Sequence, residues 1–295
     1  MKYVKQVAVA TLILGVLASS DRIPLASTLM LDVSHHARAL QPGEVVVLEV
    51  RPSTQSVLIH ATAFSNSIKF FPDSSNGLWR GLVGIDLDTI PGEYPVALRA
   101  TDHEGRIAHT TYVLHVETKE FPTRRLSVSP SFVNPPAEVL DRIRREAASL
   151  AVIFRNSDTD RQWSRGFIAP VPGESTSSFG RRSVYNGEAR SPHSGTDFRA
   201  AEGTAVKAPN AATVVLTGDL YFSGKVIILD HGWGLYSYFA HLSSFDVAQG
   251  DVVTQGQTVG RVGATGRVTG PHLHWTVRLN DARVDPLSLM LLLPG

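Results

Sequence analysis

Lys225-Val-Ile-Ile-Leu-Asp230 and Leu235-Tyr-Ser-Tyr-Phe239 are two apolar runs, separated by the turn-like stretch His231-Gly-Trp-Gly234. Short apolar or β-branched runs that are bounded by glycine are typical of β-strands. Further strand-like runs with glycines between them occur at residues 204–216, 252–262 and 272–279. Little of this region has a helical period. The sequence therefore predicts that residues 166–295 form a compact, glycine-rich antiparallel β-sheet domain.

Short β-branched or alternating runs also occupy the N-terminal half of the chain. They lie at residues 45–50, 57–61, 94–100 and 111–116. Turn signals such as Pro42-Gly43 and Glu104-Gly105 separate them, which is typical of a β-sandwich. Residues 91–105 resemble a strand and hairpin of bacterial immunoglobulin-like domains. We therefore predict an immunoglobulin-like β-sandwich over residues 27–119, and an all-β fold for the chain as a whole.

A proline-punctuated connector, residues 120–165, joins the two β regions. Apolar residues recur at helical spacing after the pair Pro135-Pro136, at Val139, Leu140, Ile143, Ala147, Leu150 and Ala151. This spacing predicts one amphipathic helix over residues 138–154. We expect the helix to pack against the face of a domain.

The N-terminus has the pattern of a targeting segment. Lys2 and Lys5 precede an apolar stretch of residues 7–18, which is too short to cross a bilayer comfortably. We predict a signal peptide over residues 1–18 and a mature chain that starts near Ser19; a retained N-terminal anchor is the alternative. The expected location is the periplasm, the cell envelope or the extracellular space, without stable membrane insertion after cleavage.

Composition narrows the classes of function. The chain has 295 residues, 43% of them hydrophobic, which suffices for two domains with real cores. Its formal net charge of +1 gives no polyanion signature, so a nucleic-acid partner is not expected. Because the chain has no cysteine, disulfides and thiolate metal sites are excluded. If the chain binds a zinc ion, its ligands must therefore be His, Asp or Glu side chains.

Two short segments carry the candidate chemistry. The first, His193-Ser-Gly-Thr-Asp197, is turn-like because proline and glycine lie in and beside it. The second contains His272 and His274, which would point to the same face of a strand. Two imidazoles and one carboxylate suit zinc, which in catalytic sites keeps a fourth position open for water. The other histidine of the pair and His241 would remain for proton transfer.

The remaining histidines are expected to have no catalytic role. Those in the N-terminal module are interpreted as surface or packing residues, at positions 35, 36, 60, 103, 109 and 115. His231 lies in a tight turn, where a side-chain hydrogen bond to the backbone is common. We interpret it as structural.

A family resemblance emerges from the joint pattern over about residues 166–290. Its motifs are Ser178-Phe-Gly180, Asn186-Gly187, His193-Ser-Gly-Thr-Asp197, Gly203-Thr204, Asp230-His231-Gly232, Tyr238-Phe-Ala-His241-Leu242, Gly250-Asp251 and Gly270-Pro-His-Leu-His274. Together they resemble the lysostaphin-type (LytM-like) zinc metalloendopeptidases. The resemblance implies a glycine-rich β-sheet domain and peptidoglycan as the partner and substrate. The cleaved bond would lie in the peptide stem or cross-bridge.

The resemblance also implies roles for individual residues. His193, Asp197 and His274 match the three ligands of one Zn²⁺ per chain. His272 matches a catalytic histidine, and His241 matches its partner. Members of the family that act as amidase activators usually lack some of these residues, whereas all five are present here.

We therefore predict an exported zinc endopeptidase, a peptidoglycan hydrolase that uses a zinc-activated water and two catalytic histidines. The alternative is a catalytically silent wall-binding or amidase-regulating protein of the same fold. The sequence leaves open which peptide bond is cut: a direct D-alanyl–diaminopimelate cross-link or a glycine bridge. It also leaves open whether residues 27–119 act as a spacer, as a targeting or inhibitory module, or through a regulatory contact.

Overall fold

A computed structural model of the chain describes residues 28–54, 57–73, 77–127, 135–176 and 179–293. The predicted signal peptide, residues 1–18, lies outside these ranges. The described chain divides into two compact units that interleave along the sequence. One contains residues up to 36 with 48–81 and 95–113, and the other contains 37–47, 82–94 and the chain from 114 onward.

Strands of the N-terminal half form a seven-stranded sheet in the order β1-β2-β5-β4-β3-β6-β7. The strands are β1 (Leu31–Ala37), β2 (Val45–Pro52), β3 (Val57–Ala63), β4 (Asn66–Pro72), β5 (Trp79–Gly84), β6 (Gly92–Asp102) and β7 (Ile107–Val116). Along β3, buried and exposed residues alternate strictly, because successive side chains point to opposite faces of a sheet. Val57, Ile59 and Ala61 are buried on one face.

Further strands follow in the second unit: β8 (Thr123–Leu126), β9 (Arg182–Tyr185), β10 (Glu188–Ala189), β11 (Thr196–Phe198), β12 (Ala205–Lys207), β13 (Ala212–Leu220), β14 (Gly224–Asp230), β15 (Leu235–Phe245), β16 (Val252–Val253), β17 (Thr258–Val262), β18 (Leu273–Leu279) and β19 (Ala282–Val284). The main sheet has the order β11-β18-β15-β14-β13-β16, with β12, β17 and β19 paired off this path. The strand pairs described in this sheet are antiparallel, whereas β8 and β9 pair in parallel.

The predicted connector helix is present. A 3-10 turn over Ala137–Val139 leads into α1 (Leu140–Arg155). Leu150, Ile153 and Phe154 pack against apolar residues of β14 and β15, and the Tyr236 hydroxyl donates a hydrogen bond of 2.8 Å to the Ile153 carbonyl. The helix therefore covers one face of the main sheet, as its apolar spacing predicts.

A second helix, α2 (Pro286–Leu292), was not predicted from the sequence. Asp285 caps it, since its side chain accepts a hydrogen bond from the Leu287 backbone N–H, and Pro286 occupies the first turn. Neither helix in the described part of the chain is long and apolar enough to cross a membrane.

The structure confirms an almost entirely β fold with a short helical connector. The immunoglobulin-like character of the N-terminal module stays a prediction. The domain limits at residues 27–119, 120–165 and 166–295 also stay predictions.

Candidate metal centre

Pairing between β11 and β18 positions two of the candidate ligands. Asp197 lies directly opposite His274 in the antiparallel register. His193 lies in the loop just before β11, where its N–H donates to the Arg181 carbonyl and its own carbonyl accepts from Gly180. The loop is thus held at both backbone groups of the histidine. This arrangement places His193 beside the β11–β18 pair, on a loop that enters a strand, as the sequence predicts.

The three candidate donor atoms form a nearly equilateral triangle. Nε2 of His193 lies 3.0 Å from Nδ1 of His274 and 3.1 Å from Oδ1 of Asp197, and the last two atoms are 3.0 Å apart. A tetrahedral zinc ion with bonds of about 2.0–2.1 Å requires ligand atoms about 3.3 Å apart. Among the described residues, this cluster can hold a metal ion, and its donor set fits zinc.

Electrostatics in the cluster also suit a cation. Burial raises the pKa of Asp197, but hydrogen bonds and charges from His193 and His274 outweigh this effect and hold it well below its usual range. Burial lowers the pKa of the His274 imidazole, and its hydrogen bond with Asp197 opposes this only in part. An ionised carboxylate and a neutral imidazole are the protonation states that metal ligation needs.

Two neighbours of His274 were missed by the sequence reasoning. Thr276 is buried, and its Oγ1 lies 2.9 Å from Nε2 of His274, the ring nitrogen that is not in the triangle. Gly195 lies so close to β18 that an added Cβ would sit 2.5 Å from the Trp275 carbonyl oxygen. Two sequence signals could have pointed to these neighbours. They are a threonine two residues after the His-x-His pair and a glycine inside His193-Ser-Gly-Thr-Asp197.

His272 lies beside this triangle, at the start of β18. Its backbone bridges to Gly263, and its Nδ1 lies 2.9 Å from the Gly270 carbonyl oxygen. A carbonyl only accepts, so Nδ1 carries a proton and donates it to this hydrogen bond. Nε2 lies 3.8 Å from Oδ1 of Asp197. Leu273, between the two histidines, is fully buried, as expected for the opposite face of the strand.

His241 approaches the same place from β15. Its ring centroid lies 5.0 Å from that of His272 and 6.0 Å from that of His274. Its backbone has a φ of 64°, a left-handed conformation that is uncommon for residues other than glycine. Its N–H donates to the Ser223 carbonyl, and Nδ1 lies 2.9 Å from the Thr265 carbonyl oxygen.

The protonation state of His241 follows from its surroundings. Burial, and next the charge of His274, lower its pKa to about 4. His241 is therefore neutral near pH 7. Because Nδ1 donates to the carbonyl, Nε2 of His241 can accept a proton.

His231 is not one of the residues of the candidate metal centre, and it has the structural role that was predicted. It is completely buried, with Nδ1 2.8 Å from the Ala211 carbonyl oxygen and Nε2 2.9 Å from Oγ of Ser237. Both ring nitrogens therefore have partners within the fold.

Comparison with known proteins agrees with this site. The profile of peptidase family M23 matches residues 191–286, which include all the ligand candidates and both further histidines. A solved structure from Pseudomonas aeruginosa that is assigned to peptidase M23 is 33% identical. The match covers 86% of this chain and 96% of that one, with a TM-score of 0.65.

Curated relatives match over a shorter stretch. The chain is 40% identical over 102 residues to DD-carboxypeptidase/endopeptidase Mpg of Neisseria meningitidis serogroup B, covering 35% of this chain and 24% of the relative. It is 37% identical over 97 residues to peptidoglycan DD-endopeptidase ShyA of Vibrio cholerae, covering 33% and 23%. The chain thus spans about a quarter of the length of these relatives.

A nearly all-β fold carries a His–Asp–His cluster with two adjoining histidines, which is a candidate metal centre. The chain belongs to peptidase family M23.

Proposed function

We propose that this chain is an exported zinc endopeptidase that hydrolyses peptide bonds in peptidoglycan stems or cross-links. The observation that carries the proposal is the triangle of donor atoms, 3.0–3.1 Å on each side, with two further histidines beside it. The relatives from N. meningitidis and V. cholerae are named as a DD-carboxypeptidase/endopeptidase and a peptidoglycan DD-endopeptidase, which supports the choice of reaction and substrate. Export is proposed from the N-terminal targeting pattern.

His193, Asp197 and His274 would hold the ion. When bound there, zinc lowers the pKa of a coordinated water and polarises the scissile carbonyl. The protein supplies the proton transfers. Nδ1 of His241 and of His272 each donate to a backbone carbonyl, which leaves Nε2 as the atom that exchanges protons.

In the proposed reaction, one of the two Nε2 atoms takes the proton of the attacking water as the bond to the carbonyl carbon forms. Protonated imidazole then stabilises the developing oxyanion and returns a proton to the leaving amine, so that the peptide bond breaks. The low pKa of His241 keeps it neutral before the reaction. The order in which His241 and His272 act stays open.

A catalytically silent wall-binding or amidase-regulating protein is the competing function. Digestion of purified peptidoglycan by the mature protein distinguishes the two. We expect release of soluble fragments that a chelator abolishes and added zinc restores. Binding to peptidoglycan without release of fragments in the presence of zinc would favour the silent alternative. Mass spectrometry of the fragments would identify the cleaved bond.

A further inference from the structure

The backbone of His241 is irregular and depends on its neighbours. Lys225 lies opposite Leu242 and Ile227 lies opposite Phe239, so β15 contains one extra residue between these pairs. This β-bulge contains His241, whose φ of 64° is left-handed. Such a conformation persists in a residue other than glycine only where the surrounding contacts hold it. The contacts on His241 therefore determine where its imidazole lies.

Two backbone carbonyls hold His241. Its N–H donates to the Ser223 carbonyl at 2.9 Å, and its Nδ1 donates to the Thr265 carbonyl at 2.9 Å. Ser223 is the last residue of the turn between β13 and β14, which we call the 221–223 turn. The turn is in close contact with Thr265, because a Cβ added at the next residue, Gly224, would collide with the Thr265 carbonyl carbon. The 221–223 turn therefore carries one acceptor of His241 and packs against the other.

The connector helix α1 holds the same turn through two side chains. Oε2 of Glu146 accepts a hydrogen bond from the Tyr221 backbone N–H, and Nη2 of Arg142 donates to the Asp219 carbonyl, both at 2.9 Å. Glu146 and Arg142 also form an ion pair, with Oε1 and Nε 2.6 Å apart. The Glu146 side chain is only 18% exposed, and hydrogen bonds to a carboxylate are stronger than those between neutral groups. The ion pair therefore fixes backbone groups at the start of the turn.

We propose that Glu146, supported by Arg142, is a positioning residue that acts on His241 through the 221–223 turn. This inference rests on the proposed function, in which His241 transfers protons. The path runs from the Glu146 carboxylate to the first residue of the turn, and from the last residue of the turn to the His241 N–H. Glu146 precedes residues 191–286, which the family profile matches. The connector helix is then part of the catalytic machinery as well as a cover for one face of the sheet.

The first test measures the imidazole of His241 by nitrogen NMR of the zinc-loaded full chain with isotope-labelled histidine. The wild type is expected to show the His241 tautomer with the proton on Nδ1, the atom that donates to Thr265. His241→Gln identifies the signals. In Glu146→Ala, the Tyr221 N–H loses its acceptor, and the His241 signals are expected to shift towards a mixture of both tautomers. The signals of His231 should stay unchanged.

The second test measures cleavage of peptidoglycan fragments. Glu146→Ala is expected to lower kcat by about 10–100-fold, as displacement of a catalytic group by up to about 1 Å can produce. KM and zinc affinity should stay close to those of the wild type, because Glu146 acts on a proton-transfer group and not on a candidate ligand. Glu146→Gln keeps one acceptor for the Tyr221 N–H and is expected to cause a smaller fall in kcat.

Two arginines of α1 provide the matched comparison. Arg142→Gln removes the partner of Glu146 and is expected to lower kcat in the same direction as Glu146→Ala, but less. Arg144 pairs with Asp141, and the two side chains are 73% and 74% exposed. Arg144→Gln should therefore keep the kcat and the His241 signals of the wild type. Thermal unfolding shows whether each variant is folded, and Glu146→Gln takes the place of Glu146→Ala if the alanine variant does not fold.

The outcomes separate the two proposals. Unchanged His241 signals in Glu146→Ala would overturn the positioning role and leave the endopeptidase proposal standing. Equal falls in kcat for Glu146→Ala and Arg144→Gln would also overturn it, since a general weakening of the helix would then be the cause. If the zinc-loaded wild type cleaves no peptidoglycan, the proposed function fails, and the ring signals still decide whether Glu146 positions His241.

Discussion

Nε2 of His274 lies 2.9 Å from Oγ1 of Thr276, two residues further along the same strand. Residues i and i+2 share a face of a strand, so the threonine can reach the ring that it supports. When Nδ1 of His274 ligates a metal ion, the ring proton must reside on Nε2, which would then donate to the threonine oxygen. Thr276 thus selects the tautomer and the orientation of a candidate metal ligand.

Thr276→Val is expected to weaken zinc binding by about 10–100-fold, the usual effect of losing a partner of a ligating histidine. The cause would be a buried Nε2 N–H without an acceptor. Competition with a chromogenic chelator measures the affinity. Thr276→Ser keeps the hydroxyl and should bind zinc nearly as tightly as the wild type. Equal affinities of the valine variant and the wild type would show that the threonine does not support the ligand.

Gly195→Ala is expected to destabilise the metal-free protein by about 1–3 kcal/mol and to weaken zinc binding. The added Cβ would lie 2.5 Å from the Trp275 carbonyl oxygen and 2.7 Å from Oγ1 of Thr276, which forces β11 away from β18. Urea unfolding and zinc titration measure the two effects. Gly218→Ala is the matched control, because its Cβ would meet only Leu216 at 3.7 Å. Similar losses in both variants would refute the steric explanation.

Asp197→Ala is expected to lose both zinc and activity, because it removes one corner of the donor triangle. His272→Ala is expected to keep zinc while its turnover falls by about 10²–10⁴-fold, the range for loss of a general acid or base. Metal content by mass spectrometry and peptidoglycan digestion measure the two properties. A metal-free His272→Ala protein would overturn the assignment of His272 as a catalytic residue rather than a ligand.

Because His231 is buried, we expect the free energy of unfolding to depend on pH. Burial lowers its pKa from 6.5 to about 4. The unfolded chain therefore binds a proton more readily than the folded one between these values. The free energy of unfolding therefore has its full value above pH 6.5. It falls by about 3 kcal/mol in total as the pH decreases from 6.5 through 4.

Urea unfolding of the metal-free protein between pH 7 and pH 4 tests this dependence. His231→Gln is expected to be less stable than the wild type at pH 7, and the difference should shrink by about 3 kcal/mol towards pH 4. His115→Gln, which removes a histidine that is 64% exposed, should follow the wild type at every pH. A difference between wild type and His231→Gln that does not vary with pH would contradict the prediction.

Much of the fold could be predicted because its signals are local. The apolar runs of β14 and β15 and the spacing of apolar residues in α1 each lie within one short stretch of chain. Helix α2 was missed because it is short and apolar, and its start depends on the cap that Asp285 provides. The parallel pairing of β8 with β9 was missed because it joins segments far apart in sequence.

The candidate site shows the same contrast between local sequence signals and contacts between distant segments. Residue types and short spacings by themselves indicated the two candidate segments and the common face of His272 and His274, since strand geometry repeats every two residues. The choice of His274 as the ligand came from the family resemblance. Only the tertiary structure decided that Asp197 and His274, 77 residues apart, meet at 3.0 Å. It also decided that Thr265 and Thr276 orient the rings of His241 and His274. The physical reason is that strand pairing and loop contacts depend on packing and hydrogen bonds across the whole sheet, which no local pattern encodes.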